Sequence, residues 1–424
     1  MDIEIKEESG NIIKTKMKIL MITPYFPWPV RGGASMRIFN IVKKLSQKGH
    51  KILLLAGRKE NQSISEGEMS KYCEKIYFYS LPSFNRFFSL FFSLFSFLPY
   101  PAFEYQSKDF LKKIFHLLEN EPFDLIWINF LFMSNFLLKI NIKTPVVLDQ
   151  FEADEILWER YIREGSIFQK FFAFLNLKKI QFLQKRIFKK VNALFCVSKK
   201  EAEFMKSRTP KNTRVWVVPN GVDTEFFQFK RGKRPNPIIL FLGAMCVRRN
   251  IDAVIWFVKK IFPKIKKAIP EVQFQIVGHR PGKEISALNK ISGIKVIGTV
   301  EDVRPYYEKA KVYVAPFRFG EGTRLKILEA MATGVPIVST KEGCQGIDVV
   351  DGEHLLIAKN KNEFGEKVIE LLSSPQKSKV LAESARKLVE EKYSWKKIIN
   401  DLELKLKNYG SYKKSKYKNT LRYS

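Results

Sequence analysis

Apolar runs and amphipathic stretches alternate along this chain in two successive rounds. The first round opens with MKILMIT (Met17–Thr23), an apolar run that reads as a buried strand. After the loop PYFPWPVRGG, the segment ASMRIFNIVKKLSQKG sets Met36, Phe39, Ile41, Val42 and Leu45 at helical spacing and ends at Gly49. KILLLAG reads as a second strand, giving a strand–helix–strand unit with parallel strands and a right-handed crossover. Further strands are expected at Asp124–Ile128, Val146–Leu148 and Ala193–Val197.

The pattern restarts after the polar run KRGKRPNP (Lys230–Pro237), read as a linker or junction loop. IILFLG and VQFQIVG are strands on either side of one helix, IDAVIWFVKKIFPKI. IKVIG, DVRPYYEKA and KVYVAP are short elements, and LLIA precedes two helical segments between about Asn362 and Lys392. The expected fold class is α/β, with two doubly wound, Rossmann-like domains in series over residues 17–212 and 213–394. Residues 1–16 and 410–424 are expected to be flexible ends.

One stretch departs from this alternation. FNRFFSLFFSLFSFLPY (Phe84–Tyr100) holds an apolar run, Phe87–Leu98, about half of the roughly 20 residues that span a bilayer. It reads either as a core helix or as a helix inserted into a membrane surface. The basic segment LKKIQFLQKRIFKK (Leu177–Lys190) favours the second reading. It sets Leu177, Ile180, Leu183 and Ile187 on one side, with Lys178, Lys179, Lys185, Arg186 and Lys189 largely elsewhere.

At 424 residues the chain is too long for one typical core, and 45% hydrophobic residues suffice for two. A formal net charge of +31 attracts phosphates, whether on nucleic acid, nucleotide or anionic lipid, without choosing among them. Four scattered cysteines and four dispersed histidines suggest neither a disulfide framework nor a metal constellation. The leader MDIEIKEESGNIIKTK carries Glu4, Glu7 and Glu8 and no apolar core. It is not a signal peptide, so a cytoplasmic location is expected, with at most peripheral attachment to the inner face of the membrane.

The densest polar chemistry lies in FGEGTRLKILEAMATGVPIVST (Phe319–Thr340). KVYVAP runs as a strand into FRFGEGT. Thr323 is placed to cap a helix RLKILEAMAT, Gly334 to end it, and Pro336 to prevent its continuation. The polar residues then fall at the carboxyl edge of a parallel sheet, where open α/β domains bind ligands. Free N–H groups of the first helical turn can hold an anion that Gly320 and Gly322 let approach closely. Lys326, and Arg324 if it turns inward, can add charge-assisted bonds, and Lys326 shares a face with Glu329. Glu321 before the helix and Glu329 within it can reach opposite ends of a diphosphate carrying hydroxyl-rich groups, a nucleotide-sugar. The bland alternative is a capped helix with surface ion pairs.

At these residues the sequence resembles the retaining glycosyltransferases of family 4, in the bacterial branch that builds capsules and related polysaccharides. Two glutamates with seven residues between them, Glu321 and Glu329, followed by AMATGVPIVST, carry it most specifically. VVPNGVDTEFF, FCVSKKEAEFM and MITPYFPWPVRGGASMR support it, and the likeness spans Met17 to about Asn408. The resemblance implies the GT-B fold, two facing domains: an amino-terminal one for the acceptor and a carboxy-terminal one for the nucleotide-sugar. A helix over residues 395–409 would cross back to the first.

It further implies roles. Glu321 would bind the donor sugar, Glu329 the ribose, and the N–H groups of Gly322 and Thr323 the phosphates. Arg248, from the pair Arg248–Arg249, and Lys326 would neutralise the leaving diphosphate. Gly33, of the pair Gly32–Gly33, would line the cleft beside the transferred sugar. The sequence departs from the family where relatives carry a histidine: Phe151 stands there, flanked by Asp149, Glu152 and Asp154, and Asp149 is the candidate replacement. The donor would be of UDP or GDP type, with no further cofactor and no metal. The acceptor would be a glycan or lipid-linked. Rival readings are an isomerase or phosphorylase on the same scaffold, and a basic nucleic-acid- or membrane-binding protein without transferase activity. A phosphorylase would need a pyridoxal-phosphate lysine context, and the chain shows none. For a nucleic-acid partner, a motif acidic at both ends would repel the phosphate backbone.

Overall fold

A computed structural model describes residues 16–30, 32–59, 65–82, 86–105, 107–150, 154–230, 232, 234–320, 322–413 and 422–423. The chain divides into two compact units. One holds the described residues up to Pro219 together with those from Ile399 onward, and the other is Asn220–Ile398.

The first unit contains β1 (Lys18–Thr23), β2 (Lys51–Arg58), β3 (Lys75–Ser80), β4 (Leu125–Asn129), β5 (Ile140–Asn141), β6 (Val146–Asp149), β7 (Ala193–Cys196) and β8 (Arg214–Val217). All but β5 form a parallel sheet in the order β3-β2-β1-β4-β6-β7-β8. β4 is buried along its whole length and β2 everywhere but its ends, as strands covered on both faces require. The helices are α1 (Gly33–Gln47), α2 (Arg86–Leu94), α3 (Tyr100–Tyr105), α4 (Lys108–Asn120), α5 (Asp154–Glu164), α6 (Ile167–Ile187) and α7 (Lys199–Lys206). α1 buries Phe39, Ile41, Val42 and Leu45, and the chain leaves it through Gly49 in the left-handed region (φ +85°).

The second unit contains β9 (Ile238–Leu242), β10 (Gln273–Val277), β11 (Ile294–Gly298), β12 (Val312–Ala315), β13 (Ile337–Ser339) and β14 (Leu356–Ile357). They form a parallel sheet in the order β11-β10-β9-β12-β13-β14. Its helices are α8 (Arg248–Lys260), α9 (Phe262–Ala268), α10 (Lys283–Ser286), α11 (Arg304–Lys309), α12 (Leu325–Thr333), α13 (Lys361–Ser373) and α14 (Pro375–Leu388). A final helix, α15 (Trp395–Lys413), begins in the second unit and from Ile399 belongs to the first.

Two sequence expectations change here. The single helix IDAVIWFVKKIFPKI is two helices, because Pro263 sits in the first turn of α9 and the backbone breaks at Ile261. The polar run before β9 is also more than a linker. Arg234 donates to the carbonyl oxygens of Gly334 (2.9 Å) and Thr333 (3.4 Å), satisfying the open end of α12. Arg231 and Lys233 of that run lie outside the described residues.

In the second sheet the strand order reverses between β9 and β12, so their carboxyl ends open a crevice at the switch point. The loops leaving those two strands carry the residues that the sequence marks as chemical.

Candidate functional site

The site is built around the start of α12. The sequence places Thr323 as the cap, but the helix begins later. Arg324 occupies the cap position (φ −82°, ψ 94°), and no side chain caps the helix. The loop after β13 packs closely on Thr323: a Cβ on Gly346 would lie 2.9 Å from its hydroxyl oxygen. That oxygen is buried without a hydrogen-bond partner. Such an orphan costs about 1–3 kcal/mol unless a ligand or water engages it. Gly320 (φ +104°) and Gly322 (φ +83°) both adopt the left-handed backbone, so the glycines are required by the turn itself. Glu321, between them, lies outside the described residues.

Arginines converge on Gly320. A Cβ there would meet Arg324 Nη2 at 2.9 Å and Arg249 Cδ at 3.0 Å. Arg324 is buried, with its guanidinium 4.9 Å above the Phe317 ring, so it has turned inward. Of the arginine pair that opens α8, Arg248 is exposed and Arg249 is the one packed against the glycine loop. The start of α8 is fixed by backbone packing. Gly278 lies so close to Gly243 that a Cβ would fall 1.7 Å from the Gly243 carbonyl oxygen, and Met245 N–H donates to His279 O at 2.8 Å.

Behind the helix start, Glu329 is buried and held from two sides. Lys326 Nζ stands 2.9 Å from each of its carboxylate oxygens, and the Tyr307 hydroxyl lies 3.1 Å from Oε2. That hydroxyl also lies 3.1 Å from the Lys326 carbonyl oxygen. Burial, then the Glu329 charge, pushes the Tyr307 phenol well above its ordinary value, so it stays protonated and donates. Tyr307 escapes sequence reasoning: in RPYYEKA nothing distinguishes it from Tyr306. Lys326 and Glu329, three apart, share a face as expected.

The remaining candidates lie in the first unit. Gly33 opens α1, and Gly32 before it is extended (φ 177°) with open space where a Cβ would stand. Neither a tight turn nor a neighbour demands Gly32. Asp149 needs correcting as a ligand contact. It ends β6, its side chain is 0% exposed, and its carboxylate takes bonds from Arg37 Nε (3.0 Å) and Nη2 (2.9 Å), with Arg37 itself 1% exposed. The pair has no surface to offer and instead anchors α1 to the sheet. Phe151 and Glu152 lie outside the described residues, as does the side chain of Asp154.

Residues 31–226 match the family model Glycosyltransferase Family 4, and residues 236–374 match Glycosyl transferases group 1. This chain belongs to the family 4, group 1 glycosyltransferases. A 44.6 kDa protein in the cps region of Klebsiella pneumoniae is 23% identical over 396 residues, covering 91% of this chain and 98% of its own length. Sucrose-phosphate synthase of Thermosynechococcus elongatus superposes with a TM-score of 0.69 at 16% identity, covering 93% of this chain and 99% of that one. HepE of Anabaena, solved with UDP and glucose, gives 0.63 at 14% identity, covering 92% and 100%. These solved structures share the GT-B fold of this glycosyltransferase.

Proposed function

We propose that this glycosyltransferase moves a sugar from a nucleoside-diphosphate sugar, of UDP or GDP type, to a hydroxyl of a glycan or lipid-linked acceptor, with retention at the anomeric carbon. Bacterial surface polysaccharide synthesis in the cytoplasm is the setting this reading gives it. The observation that carries it is the start of α12. There an open helical turn, an orphaned threonine hydroxyl, Arg249 and Arg324 meet at two left-handed glycines. A diphosphate fits that cluster by charge and by hydrogen-bond supply.

In the proposed reaction the bond from the anomeric carbon to the diphosphate oxygen breaks, and its electron pair leaves with the diphosphate. The acceptor oxygen bonds to the same face of the sugar, and its proton passes to the departing diphosphate oxygen. The chain's part is to stabilise negative charge as it grows. In this reading the N–H groups of Gly322, Thr323 and the first turn of α12, together with Arg249 and Lys326, would do so, preorganised in advance of the reaction. With that charge met by protein groups, this reading routes no step through a metal. Glu329, its carboxylate oriented by Lys326, would accept from ribose hydroxyls. Glu321 would bind the sugar. HepE, solved with UDP and glucose, supports a donor of this class.

Incubation with a panel of nucleotide-sugars, followed by proton NMR, tests the reading. One donor should be consumed, by transfer or slow hydrolysis, and the first sugar product should keep the donor's anomeric configuration. Consumption with inverted configuration would refute the stereochemistry, and no consumption of any donor would refute the enzyme reading.

A further inference from the structure

α2 and α6 carry large apolar side chains on their outward faces as well as on the faces that meet the core. In α2 the serines Ser89 and Ser93 are buried, while Phe88, Phe91 and Phe92 face outward, followed by Phe95 and Phe97 at 77% and 84% exposure. Leu90, Leu94 and Leu98 pack against the core. The core-helix reading of the segment therefore holds for these leucines and fails for Phe88, Phe91, Phe92, Phe95 and Phe97. α6 also has two apolar faces. Leu177, Ile180, Leu183 and Ile187, the apolar side legible in the sequence, are buried in the core, so they are not the side that meets a membrane.

The outward face of α6 is apolar nonetheless. Ile167 and Phe168 begin it at 90% and 70% exposure, and Phe171, Phe174 and Phe182 continue it. Exposed Lys178, Lys185 and Lys189 alternate with these rings at spacings of three and four residues. Lys178 lies 5.4 Å from the Phe174 ring centroid, and Arg186 lies 5.4 Å from that of Phe182. α2 and α6 are joined where Lys179 Nζ donates to the Ser93 carbonyl, and the start of α3 is tied to α6 where Tyr100 N–H donates to Asn176 Oδ1 at 2.8 Å. Neither α2 nor α6 contains an acidic residue. No described helix is long and apolar enough to cross a membrane.

We infer that this face docks on the surface of an anionic lipid bilayer, with the phenylalanines entering the headgroup boundary and the lysines meeting lipid phosphates. Contiguous exposed apolar surface marks an interaction site, since water gives no reason to keep it. Charge selects the occupant. A second copy of the chain paired through the same face would bring two acid-free basic stripes together, which repel. An anionic bilayer supplies both an apolar boundary and the opposite charge. The inference is independent of the reaction proposed above.

Flotation of the full chain with vesicles tests it. The protein should float with phosphatidylcholine–phosphatidylglycerol vesicles and much less with phosphatidylcholine alone. Phe91→Ser/Phe92→Ser/Phe95→Ser should lower partitioning at least about tenfold. Lys178→Glu/Lys185→Glu/Lys189→Glu, on α6 and the turn that follows it, should lower it about fivefold or more per charge and abolish the lipid preference. Circular dichroism and gel filtration of the free variants should match the wild type. Wild-type protein that fails to float, phenylalanine variants that float undiminished, or a wild-type dimer made monomeric by those variants would each overturn the inference.

Discussion

Lys326 Nζ sits 2.9 Å from both carboxylate oxygens of Glu329, one turn along the helix whose start faces the switch-point crevice. Tyr307 closes the arrangement from α11, 3.1 Å from Oε2. A buried acid with donors on two sides is fixed in direction. Replacing Tyr307 by Phe removes one donor and should cost about 1–2 kcal/mol of stability. It should also weaken UDP or GDP more than free pyrophosphate, because only the nucleotides carry ribose. Denaturant melts and calorimetry with both ligands check this.

Arg248 and Arg249 are neighbours in sequence and different in place. Arg249 packs on Gly320 and Arg248 is exposed. Arg249→Ala should lower kcat about 10²–10³-fold, the scale for losing one preorganised donor to developing negative charge. Arg248→Ala should change it only a few-fold. Steady-state kinetics on the pair decides which arginine faces the leaving group.

The Arg37–Asp149 pair makes a stability prediction. Asp149→Ala leaves the Arg37 charge buried, and breaking such a pair costs about 3–5 kcal/mol. Arg37→Met/Asp149→Leu should recover most of that loss. Urea unfolding of the single and double variants measures it, and equal loss in both would show that the ion pair itself stabilises the unit.

His50 joins the start of β1 to α15 within the first unit. It accepts from Met17 N–H at 3.1 Å and lies 3.3 Å from Glu403, with Lys48 and Lys407 also around that carboxylate. Burial holds His50 below its usual 6.5, with Glu403 opposing. The unfolded chain therefore takes up this proton before the folded one, so stability falls as pH drops through about 6.5 toward the lower folded value. The slope from this one group is at most about 1.4 kcal/mol per pH unit. His50→Gln should flatten that part of the stability–pH curve.

The alternation of apolar runs was enough to read both parallel sheets, because strands buried on both faces cannot disguise themselves. β3 and β8 went unread: KIYFYS and RVWV are half-buried edge strands, with mixed patterns that resemble loops. The chemical motif from Phe319 to Thr340 was legible because glycines, a helix start and its carboxylates are local in sequence. What stayed hidden depends on contacts between distant residues. Tyr307 reaches Glu329 across 22 positions, and Arg37 reaches Asp149 across 112. The helix begins at Arg324 rather than with Thr323 as its cap, and the packing of Gly346 against Thr323 is a contact between distant residues that the local motif does not reveal. In α2 the pattern of phenylalanines and serines showed a helix but not which side meets the core.

The central claim is that the start of α12 receives a diphosphate. Isothermal titration of the wild type with UDP and GDP, alongside Arg249→Ala and Lys326→Ala, tests it most directly. The account predicts one saturable site for one of these nucleotides, weakened about tenfold or more in each variant. No binding of either nucleotide, or binding that both variants leave unchanged, would contradict it.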